Sequence, residues 1–135
     1  MLYFAYGSNL NHERMKKRCK DSRFIKSIHL KRYSLTFRSK HGVADIEKNK
    51  HSKVLGALYR ISESDEKQLD IYEDYPILYK KMYFNYYGKK VMTYKMSKKT
   101  VYKNPTTQYL NILTQGYKDC QLDEKYLYNA LKPSW

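Results

Sequence analysis

Tyr3-Phe4-Ala5-Tyr6-Gly7-Ser8-Asn9-Leu10 is the stretch from which the rest of the chain reads. An apolar, aromatic run stops at Gly7-Ser8-Asn9, and a polar segment of helical character begins at once. A strand delivered into a glycine-containing bend at a helix start leaves backbone N–H groups unpaired and pointing one way. Such a nest holds a carboxylate, a phosphate or an oxyanion without any charged side chain. An ordinary β-turn of small residues would give the same letters, so the loop has to be weighed with what lies further along.

At 135 residues the chain is expected to form one domain over 1–135, large enough for a core without staples. Aliphatic residues are scarce and tyrosine fills sixteen positions, so the core must use rings whose hydroxyls need partners. No apolar run approaches the roughly 18–20 residues of a membrane span. Met1-Leu2-Tyr3 lacks the pattern of a secretory signal, and Cys19 and Cys120 stand far apart without metal or redox spacing. These features suggest the cytoplasm, two reduced thiols and no membrane partner. The net charge of +14, from 27 Lys and Arg against 13 acids, would suit a nucleic-acid partner electrostatically. The lysines are dispersed through every segment, however, with no compact basic run. The Tyr-Lys interleaving at 79–87 also fits a solvated strand face, which ranks nucleic acid second.

Periodicity predicts strands at 2–6, 24–30, 33–38, 43–46, 53–61, 79–87 and 90–96, the last two joined at Gly88-Lys89. Helices are expected over 11–19 behind Asn11, over 65–73 behind Ser64, after Asn104-Pro105, and at about 123–131. The third of these presents Tyr109, Ile112, Leu113 and Gly116 on one stripe. Helices inserted among about six strands indicate an α+β fold rather than regular βαβ alternation.

Within the 65–73 helix, Leu69, Tyr72 and Glu73 share a face by their i, i+3, i+4 spacing. Asp65, Glu66, Lys67 and Asp70 can cover the outside, so Glu73 is expected to point inward. Burial raises a carboxyl pKa, as would the neighbouring charge of Asp74, and a glutamate shifted toward neutrality is suited to exchanging protons. A frayed helix end with Glu73 in water, or bonded to a lysine, is the competing reading. The four histidines show no metal-ligand spacing, and Ser8 has no surrounding nucleophile elbow. Cys19 lies among cations that could lower its pKa, although a buried structural cysteine fits its helix as well.

Together, the Tyr3–Leu10 stretch and Leu69-Asp70-Ile71-Tyr72-Glu73-Asp74-Tyr75-Pro76-Ile77-Leu78-Tyr79 resemble the γ-glutamylcyclotransferase family. The likeness continues through Gly42–Ile46, Val54–Ile61 and Tyr109–Tyr117. It implies a small, partly closed mixed β-barrel flanked by helices, and a cofactor-independent, metal-free enzyme that cyclises a γ-glutamyl group to 5-oxoproline. By position, Glu73 matches the family's catalytic acid/base. Tyr3, Phe4, Ala5, Tyr6, Gly7, Ser8 and Asn9 match its substrate loop, and Tyr94 and Tyr79 match tyrosines of the pocket. Many members carry glycine directly after the catalytic glutamate, where this chain has Asp74. The alternative is a non-catalytic member that binds an anionic or nucleic-acid partner through its positive surface.

Overall fold

The computed structural model describes residues 1–132. Strand β1 (Leu2–Ala5) is buried along its whole length and lies at the centre of the sheet. Its neighbours are β2 (Arg23–Arg38), β3 (Val43–Arg60), β4 (Tyr79–Tyr86) and β5 (Lys89–Met96). The strand order is β2-β3-β1-β5-β4, with β1 parallel to β5 and the other pairs antiparallel. A five-stranded open sheet therefore replaces the expected barrel of about six strands.

The difference lies in one long hairpin. The polar run Glu47–Lys53 reads as a loop, yet β3 continues through it, pairing with β2 at Glu47, Lys48 and Lys53 while Asn49–Ser52 bulge out of register opposite Arg32. Both faces of the hairpin are wet there, so neither strand needs apolar alternation. Irregular pairing near Phe24 and Lys31, with Arg32 at φ 69°, accounts for the apparent break in β2.

Helices α1 (His12–Arg18), α2 (Glu63–Tyr72), α3 (Thr107–Asp119) and α4 (Lys125–Tyr128) flank the sheet. Asn11 caps α1 as expected, accepting from the Arg14 amide. The other caps differ from expectation. Ser62 rather than Ser64 opens α2, in a reciprocal capping box with Asp65. That box takes Asp65 off the outer face and leaves it buried. Thr106 rather than Asn104 caps α3, and the last helix is shorter than 123–131. Among the described residues no helix is long and apolar enough to cross a membrane.

The packing of α3 fixes the first loop. A Cβ on Gly116 would come within 2.7 Å of the Asn11 nitrogen and of Leu10 Cβ, so only glycine lets the helix backbone approach this closely. The Asn11 amide group donates to the Ile112 carbonyl and the His12 N–H to Asp119, completing the clamp.

Candidate active site

After β1 the chain turns through a short 3-10 segment, Ser8–Leu10. Its internal bonds run from Leu10 N–H to the Gly7 carbonyl and from Asn11 N–H to that of Ser8. Among the described residues, the amides of Gly7, Ser8 and Asn9 find no acceptor, as expected at the start of such a turn. The loop's side chains are used to hold it. Asn9, buried, donates to the Tyr3 hydroxyl and accepts from Arg18, while its carbonyl accepts from Tyr59. Arg18 also donates to Ser8 Oγ at 2.9 Å. Polar side chains thus fasten the turn and leave its main-chain donors available.

A cavity of about 230 Å³ opens beside this loop. Tyr3, Tyr6, Gly7, Ser8, Asn9, Glu73, Tyr79 and Tyr94 line it, which brings together all the predicted site residues except Phe4 and Ala5. Those two are buried within the sheet, Phe4 against Phe84. The sequence reading missed Arg14, Arg18 and Tyr109, which share the lining. The two arginines lie four residues apart on α1 and so on one helix face, a spacing legible in the sequence that does not by itself say what the face meets.

Glu73 sits at the C-cap of α2, its amide bonded to the Leu69 carbonyl. The expected inner face holds only in part. Leu69 is fully buried, but Tyr72 is 53% exposed and covers the Arg18 guanidinium, 3.3 Å from ring centroid to Cζ. The helix ends at Tyr72, so the wheel no longer dictates where Glu73 points. Protein surrounds the Glu73 carboxyl although the cavity leaves it a path to water. Burial pushes its pKa from 4.5 up to about 7, and the positive charge of Arg18 opposes the shift. Desolvation, and not Asp74, is the cause.

The cavity's hydroxyls are oriented by the fold. Tyr94 donates to Asp70 at 2.6 Å, Tyr79 to the Ala44 carbonyl and Tyr6 to the Tyr94 carbonyl. Tyr3 instead accepts from Asn9, and Tyr109 accepts from the Ala44 amide. Burial, the first cause for each of these five, holds all of them protonated. Asp70 was expected on the solvated face. It is instead partly covered and paired with Lys81. Cys19 lies outside the lining, and burial pushes its thiol up to about 12, which fits an inert structural role. Among the described residues no group of three His, Cys, Asp or Glu side chains could hold a metal ion.

Comparison with known proteins bears on this geometry. A family model described as gamma-glutamyl cyclotransferase, AIG2-like, matches residues 3–118. A solved structure of a gamma-glutamyl cyclotransferase superposes with a TM-score of 0.80 at 27% identity, covering 99% of this chain and 89% of the other. A human protein described as uncharacterized gives 0.79 at 28% identity, over 98% and 88% of the two chains. YkqA from Bacillus subtilis, 22% identical, shares the fold with a TM-score of 0.78, over 96% of this chain and 52% of its own. A search of curated proteins gave no significant match.

Proposed function

The chain belongs to the gamma-glutamyl cyclotransferase, AIG2-like family, and from that premise we propose that it releases an amino acid or amine from a small γ-glutamyl compound by closing the glutamyl part to 5-oxoproline. One observation carries the proposal. The Glu73 carboxyl, poised near neutrality by burial, borders the same cavity as the unpaired amides of Gly7, Ser8 and Asn9.

The reaction is intramolecular, so it needs no enzyme nucleophile. The substrate's α-amine attacks its own γ-carbonyl carbon. A C–N bond forms, a tetrahedral oxyanion develops, and the γ C–N bond to the departing group breaks. Glu73 as carboxylate takes a proton from the attacking nitrogen and, as acid, delivers it to the leaving nitrogen. The lactam nitrogen's second proton is lost as the departing amine takes one up, so no net proton is consumed near neutral pH. Acid–base help of this kind is worth about 10²–10⁴-fold, and a pKa near 7 keeps both forms of Glu73 accessible. The loop amides would hold the developing oxyanion or a substrate carboxylate. Enclosing a flexible glutamyl chain in a bent, ring-closing pose supplies a larger share, up to about 7–11 kcal/mol. Tyr3, Tyr6, Tyr79 and Tyr94 add hydroxyls without charge.

Incubating the protein with a panel of γ-glutamyl amino acids and γ-glutamyl amines tests this. At least one member should yield 5-oxoproline in amounts equal to the released amine. A folded protein that turns over none of them contradicts the proposal.

A further inference from the structure

The cavity tyrosines fall into two sets by where their protons go. Tyr3 and Tyr109 accept hydrogen bonds from Asn9 and from the Ala44 amide, so each keeps a proton to give. Tyr6, Tyr79 and Tyr94 have spent theirs on Tyr94 O, Ala44 O and Asp70. A phenol whose single proton is committed can offer a ligand only lone pairs. For Tyr6 and Tyr79 the commitment is to main-chain carbonyls and follows from the backbone fold. For Tyr94 it depends on one side chain.

That side chain, Asp70, lies outside the cavity lining. It is 26% exposed and stands between Tyr94 and Lys81, whose ammonium lies within 3.1 Å of its carboxylate and 2.9 Å from Glu66. Lys81 places a compensating positive charge beside Asp70, and the hydrogen bond runs from the Tyr94 hydroxyl to the Asp70 carboxyl oxygen.

We propose that Asp70 is a positioning residue that fixes Tyr94 as a pure acceptor facing the cavity, where Tyr94 receives an N–H of the substrate's α-amine. The inference rests on the γ-glutamyl reading above. It divides the cavity chemically. Tyr79, Tyr94 and Glu73 form an accepting wall for the amine, whereas Arg18 and the amides of Gly7–Asn9 form a donating wall for the carboxylate or oxyanion. An asparagine at position 70 would reverse the polarity. Its Oδ1 is drawn to the Lys81 ammonium, its NH₂ turns to the Tyr94 oxygen, and the Tyr94 proton is released toward the ligand.

The reversal can be read without turnover. In a Glu73→Gln background, calorimetry compares binding of whichever member of the γ-glutamyl panel binds most tightly with its analogue carrying a hydroxyl in place of the α-amine. The amine should bind more tightly, and adding Asp70→Asn should cut that preference about tenfold or more, because a charge-assisted bond is lost to the amine while the hydroxyl gains a donor. Tyr94→Phe, which leaves the Asp70–Lys81 pair in place, should also cut it and remains informative if Asp70→Asn fails to fold. Adding Asp70→Asn to Tyr94→Phe should change the preference no further. A preference unchanged by either single substitution, or cut independently by both, overturns the role of Asp70 while leaving the γ-glutamyl reading standing. Binding of neither ligand overturns both.

Discussion

Replacing Glu73 with glutamine should stabilise the protein, and increasingly so as the pH rises. The side chain keeps its size but loses the ionisable proton. In the folded protein burial holds the Glu73 pKa at about 7, against 4.5 ordinarily. Between those values the native state retains a proton that the unfolded chain releases, so wild-type stability falls as pH rises through this window. The rise from 4.5 to about 7 corresponds, at about 1.36 kcal/mol for each tenfold change in proton affinity, to a ceiling of about 3 kcal/mol. The carboxyl's path to solvent through the cavity lowers this figure. Urea titrations of both proteins at half-unit intervals from pH 4.5 to 8.5 give the comparison. The stability difference should be smallest near pH 4.5, grow toward pH 7 and then level off. Parallel stability curves for the two proteins would refute the claim that Glu73 is desolvated.

Arg18 opposes the rise in the Glu73 pKa and bolts Ser8 and Asn9 in place. Arg18→Met should therefore move the rising limb of the kcat/KM against pH curve to higher pH and raise KM, as steady-state kinetics at several pH values will show. Gly116→Ala forces α3 away from Leu10 and Asn11. A loss of about 1–3 kcal/mol in a denaturant titration is expected, with reduced turnover because the same helix clamps the loop. Ser62→Ala removes the side-chain half of the α2 capping box and should cost about 1 kcal/mol in the same titration, with pH dependence of activity unchanged.

The loop, the central strand and the acid were legible because each is a local pattern. An aromatic run ends at Gly7, and an acid follows a leucine by four positions. The long hairpin was not, because Glu47–Lys53 carries no apolar face and its pairing is recorded only in the partner strand. Tyr72 shares the face of Leu69 yet stays half exposed, because it closes the last turn of α2 and lies over Arg18 rather than over the core. Asp65 and Asp70 look alike as outward acids, yet one closes a cap and the other accepts a hydrogen bond from Tyr94 on β5. Arg14 and Arg18 disappeared into a basic composition. Spacing on a single helix shows which residues share a face, but not which neighbouring element that face will meet.

The central claim is that the Glu73 carboxyl, at the C-cap of α2, moves a proton within a γ-glutamyl ligand held against the first loop. It is tested most directly by measuring 5-oxoproline and free amine together, from a substrate the wild-type protein turns over, with folded Glu73→Gln alongside. The account expects the two products in equal amounts from the wild type and a fall of at least about 10²-fold for the variant. Equal turnover by both proteins would contradict it.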